Sequence, residues 1–128
     1  IVICDDSIVR GTQLKNFTIQ KLKECGVREV HLRIACPPLM FPCKFNYSTR
    51  SIHELAARRA IKAIEGKDAL HLEGYLDEDS PKYKNMVKWI TKDIGATTLK
   101  YQRLEDMVKA IGLPKDKLCL YCWTGREP

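Results

Sequence analysis

The chain opens on an unbroken apolar run, Ile1 to Cys4, that meets two adjacent acids, Asp5 and Asp6. A run of that kind predicts a strand buried on both faces of a parallel sheet. Ile1 is no initiator, and a strand at the very start implies further residues upstream. From Thr12 to Cys25 the period lengthens. Leu14, Phe17, Leu22 and Cys25 share one helical face, and Gly26 stands where a helix stops. Val30, Leu32 and Ile34 then alternate with His31 and Arg33, which predicts a strand with one wetter face. Residues 1–38 thus form a βαβ unit, expected to cross over right-handedly, with Pro37 and Pro38 ending it.

The remainder, 39–128, reads as mostly helical with a cysteine-containing tail. Leu39 to Arg50 has no regular period. Ser51 and Glu54 have the spacing of a capping box, opening a helix through Leu55, Ile61 and Ile64 to Gly66. Lys67 to Asp79 is ambiguous. Ser80 followed by Pro81 is a helix start, and Tyr83, Met86, Val87, Ile90 and Ile94 make one apolar stripe ending at Gly95. Thr97 to Tyr101 fits a short strand. Leu104, Met107, Val108 and Ile111 mark a last helix, stopped by Gly112 and Pro114. The pattern is that of an α/β fold.

Composition narrows this picture only a little. A hydrophobic share of 45% with 30% charged residues is ordinary for a globular domain, and 128 residues suffice for one. No apolar run approaches the roughly 20 residues that span a bilayer, so a membrane partner is not expected. The 22 basic and 16 acidic residues give a formal +6, which favours anionic partners. The basic residues are spread over several helices, with no clustered stripe for nucleic acid. Reduced thiols in a cytoplasmic setting fit the six cysteines, because the chain is helix-rich and shows no signal segment. Cys4 and Cys25 fall at apolar positions, as small hydrophobes do. Cys43, Cys119 and Cys122 do not.

Candidate chemistry begins at the acids. Ligands of open α/β sheets sit at the carboxyl ends of strands, where Asp5 and Asp6 lie. The stretch Ser7-Ile8-Val9-Arg10-Gly11-Thr12 carries what a phosphate loop needs. Gly11 allows a tight turn, Ser7 and Thr12 offer hydroxyls, and Thr12 is a plausible helix cap. The helix start adds amide N–H groups, and Arg10 adds charge or points to solvent. Two carboxylates would repel a phosphate directly above them. They suit the hydroxyls of a ribose, or a Mg²⁺ shared with substrate oxygens. The alternative is a strand-to-helix turn in which the acids only cap amides.

The stretch VICDDSIVRGTQ resembles the phosphoribosyl-pyrophosphate (PRPP) motif of type I phosphoribosyltransferases, and its DDSIVRGT form resembles the glutamine PRPP amidotransferase family. The resemblance continues through VREVHLRIACPPLMFPC, LEDMVKAIGLP and LCLYCWTG. It implies the C-terminal portion of a Rossmann-like type I phosphoribosyltransferase fold followed by a helical region, with a glutaminase domain and the first half of the transferase domain upstream. It implies that Asp5 and Asp6 bind the ribose of PRPP, directly and through Mg²⁺. Ser7, Ile8, Val9, Arg10, Gly11 and Thr12 would hold the 5′-phosphate. The implied reaction turns PRPP and glutamine, by way of glutamine-derived ammonia, into 5-phosphoribosylamine, pyrophosphate and glutamate, the first committed step of purine synthesis. Purine nucleotides as feedback ligands and a homo-oligomer are implied as well. No catalytic side chain is assigned within this segment, which alone is expected to be inactive.

A C-x-x-C pair such as Cys119 and Cys122 supplies half a tetrahedral site, and Cys43 could join it if the tail folds back. Cys36 is a candidate fourth ligand. Thiolates suit zinc or iron–sulfur equally, and free surface thiols are the alternative. The family resemblance implies a 4Fe-4S cluster on Cys43, Cys119 and Cys122, with the fourth cysteine upstream. One departure touches this region. The family has an aromatic-Gly-hydrophobic-Asp run where this chain reads Lys44-Phe45-Asn46-Tyr47-Ser48-Thr49.

Two other functions remain open on the sequence. A base-salvage or orotate-type phosphoribosyltransferase shares the loop but has no use for the three cysteines. A PRPP-sensing regulator would bind without turnover. His31, His53 and His71 read as surface or strand residues, and Arg58 and Arg59 as part of a charged helix face.

Overall fold

The computed structural model describes residues 1–45 and 51–127. Strand β1 (Val2–Asp5) pairs in parallel with β2 (His31–Ile34), which pairs in parallel with β3 (Thr98–Tyr101). The register aligns Asp5 with Ile34 and Ile34 with Tyr101, so the three carboxyl ends lie level. Helix α1 covers 12–24, α2 Ala56–Glu65, α3 Glu73–Leu76, α4 Pro81–Ile94, α5 Leu104–Ile111 and α6 Tyr121–Thr124. The α/β architecture with a parallel sheet expected from the sequence is present.

One face of the sheet is packed. Leu32, Ile34 and Leu99 meet Leu14, Ile19, Ala57, Ala60, Ile61, Met86, Ile90 and Ile94 in a single core cluster. The alternation in β2 holds as read, with Leu32 and Ile34 buried and His31 and Arg33 half-buried. Helix α4 also follows its sequence signals. Ser80 Oγ accepts from the Tyr83 amide at 3.0 Å, Pro81 takes the first helical position, and Gly95 closes the helix at φ 83°. At Gly26, also at positive φ, the amides of Gly26 and Val27 turn back to Lys23 and Leu22.

Three expectations fail for identifiable reasons. β1 is not buried on both faces. Val2 is 63% exposed and Cys4 is exposed, because they share a sheet face with His31, Arg33 and Lys100, opposite the face that carries the core cluster. In α1 the stretch Leu14–Ile19 is wound as a π-helix. Its wider turn brings Ile19 into the core and leaves Phe17 62% exposed and Cys25 in solvent.

The capping box does not form either. Ile52–Glu54 makes a 3₁₀ turn, Leu55 is extended, and α2 restarts at Ala56 with no side-chain cap. Its core face is consequently Ala56, Ala57, Ala60 and Ile61, and Ile64 is 40% exposed. No helix of the described residues is long and apolar enough to cross a membrane.

Candidate functional site

The acids leave β1 at its carboxyl end and begin a turn that closes on itself. The Asp6 amide donates to Asp5 Oδ1 at 2.9 Å, and Ser7 Oγ lies 3.3 Å from Asp6 Oδ1. Ile8, 2% exposed, plugs the loop into the core. Gly11 sits at φ 76°, and its carbonyl already accepts from the Lys15 amide, so the helix begins there. Thr12 is therefore the first helical residue and not the cap the sequence suggested. Residues Asp5 through Leu14, with Thr18, line a recess of about 440 Å³. All eight positions singled out in the sequence, Asp5 to Thr12, line this one recess.

The outer side of the loop rests on α2. The Val9 carbonyl accepts from the Ala56 amide at 2.8 Å, and the Arg10 carbonyl from Arg59 Nη2 at 2.9 Å. Arg10 itself reaches Glu54 by Nε at 3.0 Å and by Nη2 at 2.5 Å. Glu54, Ala56, Arg59 and Thr18 were invisible as site residues in the sequence. Arg59 contacts the loop across 49 positions, and no local spacing encodes such a contact.

A second cavity, of about 460 Å³, lies under the tail among Pro37, Met40, Tyr83, Leu104, Leu120 and Trp123. It shares no residue with the acid loop. Cys36 is buried at the end of β2, and its thiol is pushed up to about 11, chiefly by burial and further by the charges of Asp6 and Asp5. It is a neutral packing group at pH 7.

The tail does fold back. Cys122 carbonyl oxygen accepts from the Met40 and Phe41 amides at 2.9 and 3.0 Å, and Phe41 packs on Tyr121 with ring centroids 5.8 Å apart. Lys44 pairs with Glu127 and lies 4.5 Å from the centre of the Tyr121 ring. Cys43 and Cys122 are thereby brought together. The Cys122 thiol is pushed up to about 11 by burial, and next by the neighbouring Cys43 and Cys119 sulfurs. Among the described residues, no three His, Cys, Asp or Glu side chains converge as a metal-ion site. Of the divergent loop, Asn46 to Thr49 lie outside the described residues.

The histidines lie on the surface or in a strand, as read from the sequence. His31 is half-buried, bonded to Thr98 Oγ1 at 2.9 Å, and His53 and His71 are exposed.

No protein-family model matches the chain. Amidophosphoribosyltransferases match it along 100% of its length, at 41% identity from Pyrococcus horikoshii, 34% from Mycobacterium tuberculosis and 32% from Bacillus subtilis. The chain covers 22%, 20% and 22% of these relatives, about one fifth of their length. The solved glutamine phosphoribosylpyrophosphate amidotransferase of B. subtilis, complexed with ADP and GMP, shares its fold with a TM-score of 0.69. That match has 32% identity and covers 100% of this chain and 23% of the other. From end to end, then, this chain is similar to one segment, about a fifth, of amidophosphoribosyltransferases and of a solved structure of the same kind.

Proposed function

We propose that this chain is the PRPP-binding segment of an amidophosphoribosyltransferase. The observation that carries the reading is the gathering of Asp5 through Thr12 around one recess at the carboxyl end of β1. The acids stand on the strand side of that recess and the glycine turn on the helix side, matching the two ends of a ribose 5-phosphate.

In the proposed reaction the C1–N bond to ammonia forms as the C1–O bond to pyrophosphate breaks, and the bonding electrons leave with pyrophosphate. The side chains here act by position and charge, with no nucleophile among them. Asp5 and Asp6 accept from the ribose hydroxyls and fix C1 for attack. Ser7, Thr12 and the amides of the loop hold the 5′-phosphate. The two carboxylates are hard oxygen donors, one or two of which suffice for Mg²⁺ when substrate supplies the rest. Bound there, Mg²⁺ would neutralise the leaving pyrophosphate. The glutamine-hydrolysing part is assigned to the rest of the full-length protein.

The tail supports a second element of the same reading. Cys122 neighbours Cys43 after the fold-back and Cys119 precedes it by three positions, and three soft thiolates would suit an iron–sulfur cluster completed by a cysteine outside this chain. The cluster would tie the tail to the body. Purine nucleotides are the proposed regulatory ligands, because the B. subtilis structure carries ADP and GMP. A homo-oligomer and a cytoplasmic location complete the proposal.

The test is PRPP binding to the full-length protein by calorimetry with Mg²⁺ present. Asp5→Asn and Asp6→Asn should each weaken binding by tenfold or more, about 1.4 kcal/mol. Wild-type affinity in both variants would remove the acids from the site.

A further inference from the structure

Two consecutive carbonyls of the loop are held by α2. The Val9 carbonyl takes the Ala56 amide at 2.8 Å, and the Arg10 carbonyl takes Arg59 Nη2 at 2.9 Å. A trans peptide carries its C=O and N–H on opposite edges. Turning these two carbonyls toward α2 therefore turns the amides of Arg10 and Gly11 away from α2, and both residues line the recess.

The Arg10–Gly11 peptide needs such an anchor. Glycine populates positive and negative φ about equally, so a peptide bounded by Gly11 can flip at little cost. Arg59 is well placed to prevent this, because it is itself fixed. The same Nη2 donates to Asp93 Oδ2 at 3.1 Å, and Asp93 Oδ1 accepts from Lys15 Nζ at 3.0 Å. One guanidinium on α2 thus joins the loop to α4, and through Lys15 to α1. Its Nε is buried without a hydrogen-bond partner, so the two acceptors at Nη2 set its position.

We propose that Arg59 is a positioning residue for the 5′-phosphate, holding the Arg10–Gly11 peptide so that its N–H faces the anion. This rests on the recess being the sugar-phosphate site. The side chain does not touch the ligand. It acts through the backbone it holds.

The experiment uses the full-length protein with Arg59→Met, Arg59→Lys and Ala56→Pro, and Lys62→Ala as a control on the same helix. Ala56 is the first residue of α2, where proline is tolerated, and the extended Leu55 before it suits a following proline. That variant removes the donor to Val9 without disturbing Arg59. Two readouts are taken. The first is KM for PRPP against kcat, with inorganic phosphate as a competitor. The second is the shift of the Gly11 amide resonance on titration with inorganic phosphate.

Arg59→Met should raise KM for PRPP and Ki for phosphate about tenfold, with kcat within about twofold. It should also abolish the Gly11 shift. Arg59→Lys should recover most of both, Ala56→Pro should raise KM by a smaller factor, and Lys62→Ala should match wild type. Unchanged phosphate affinity and Gly11 shift in Arg59→Met would overturn the proposal. So would an equal loss in kcat and in KM for glutamine, the mark of general damage. If the wild type releases no pyrophosphate from PRPP, the enzymatic reading fails separately, and the Gly11 titration still decides this one.

Discussion

The carboxylate of Glu54 holds the guanidinium of Arg10 by two hydrogen bonds, 3.0 Å from Nε and 2.5 Å from Nη2. The bond ties the turn before α2 to the acid loop across 44 positions. It also draws the most obvious positive charge of the loop onto a protein carboxylate. Both side chains are nearly half exposed, at 44% and 47%, so the pair is worth under about 1 kcal/mol to the fold.

Two outcomes are expected from that pair. Glu54→Gln should lower stability by less than about 1 kcal/mol in urea unfolding. Arg10→Ala should raise KM for PRPP by a smaller factor than Arg59→Met, because the charge is engaged elsewhere while the Arg10–Gly11 peptide stays anchored. A larger effect of Arg10→Ala would return the guanidinium to the anion.

The π-turn of α1 makes a paired prediction about packing. Ile19 is 2% exposed and Phe17 is 62% exposed, the reverse of what a regular helical stripe assigns. Ile19→Ala should cost about 2–5 kcal/mol, the range for an aliphatic cut out of a core. Phe17→Ala should stay within about 0.5 kcal/mol. Urea unfolding of both variants checks the register, and a large loss at Phe17 would contradict the π-turn.

These cases show what the sequence could and could not reveal. β2 and α4 were readable because their signals are local. Alternation set one, and a serine cap, a proline and a terminal glycine set the other. The acid loop was readable for the same reason, since eight consecutive residues carry it. Three other features were not local. Burial of β1 depends on what packs on each face of the sheet, which its own residues do not state. The π-turn widens a period that residue spacing assumes constant. Glu54 had the spacing of a capping box, yet Arg10 took its carboxylate from a distant part of the chain. Arg59 was lost the same way, as one more cation on a charged helix until the loop lay against it.

Tyr75 predicts a pH dependence of stability. Its hydroxyl donates to Glu65 Oε1 at 2.6 Å, and Lys82 lies 3.4 Å from the same oxygen. The Tyr75 bond chiefly, and then Lys82, holds the Glu65 carboxyl below its usual range. Burial, then Glu65, pushes the phenol up to about 12. A lowered carboxyl stabilises the fold above its ordinary value and loses that effect as pH falls through the lowered one. A raised phenol stabilises below about pH 10, its ordinary value, and loses that effect as pH rises through the raised one. Tyr75→Phe should therefore be less stable than wild type at pH 7. The gap should narrow below about pH 4 and again above about pH 10. A gap independent of pH in urea unfolding would deny the coupling.

Gly11 should not tolerate a side chain. At φ 76° an L-residue carries about 1–2 kcal/mol of strain. A Cβ there would also stand 3.2 Å from Cδ1 and Cγ1 of Ile94. Gly11→Ala should lower stability by about that amount and raise KM for PRPP, as the loop shifts off the phosphate. Wild-type values for both quantities would show that the loop can rebuild around the methyl group.

The measurement that bears most directly on the account is pyrophosphate release from PRPP by the full-length protein, offered glutamine, ammonia, or purine and pyrimidine bases. Release with glutamine and with ammonia, none with a base, and loss in Asp5→Asn and Asp6→Asn is the expected result. Release only with a base, or PRPP binding with no release under any acceptor, would contradict it.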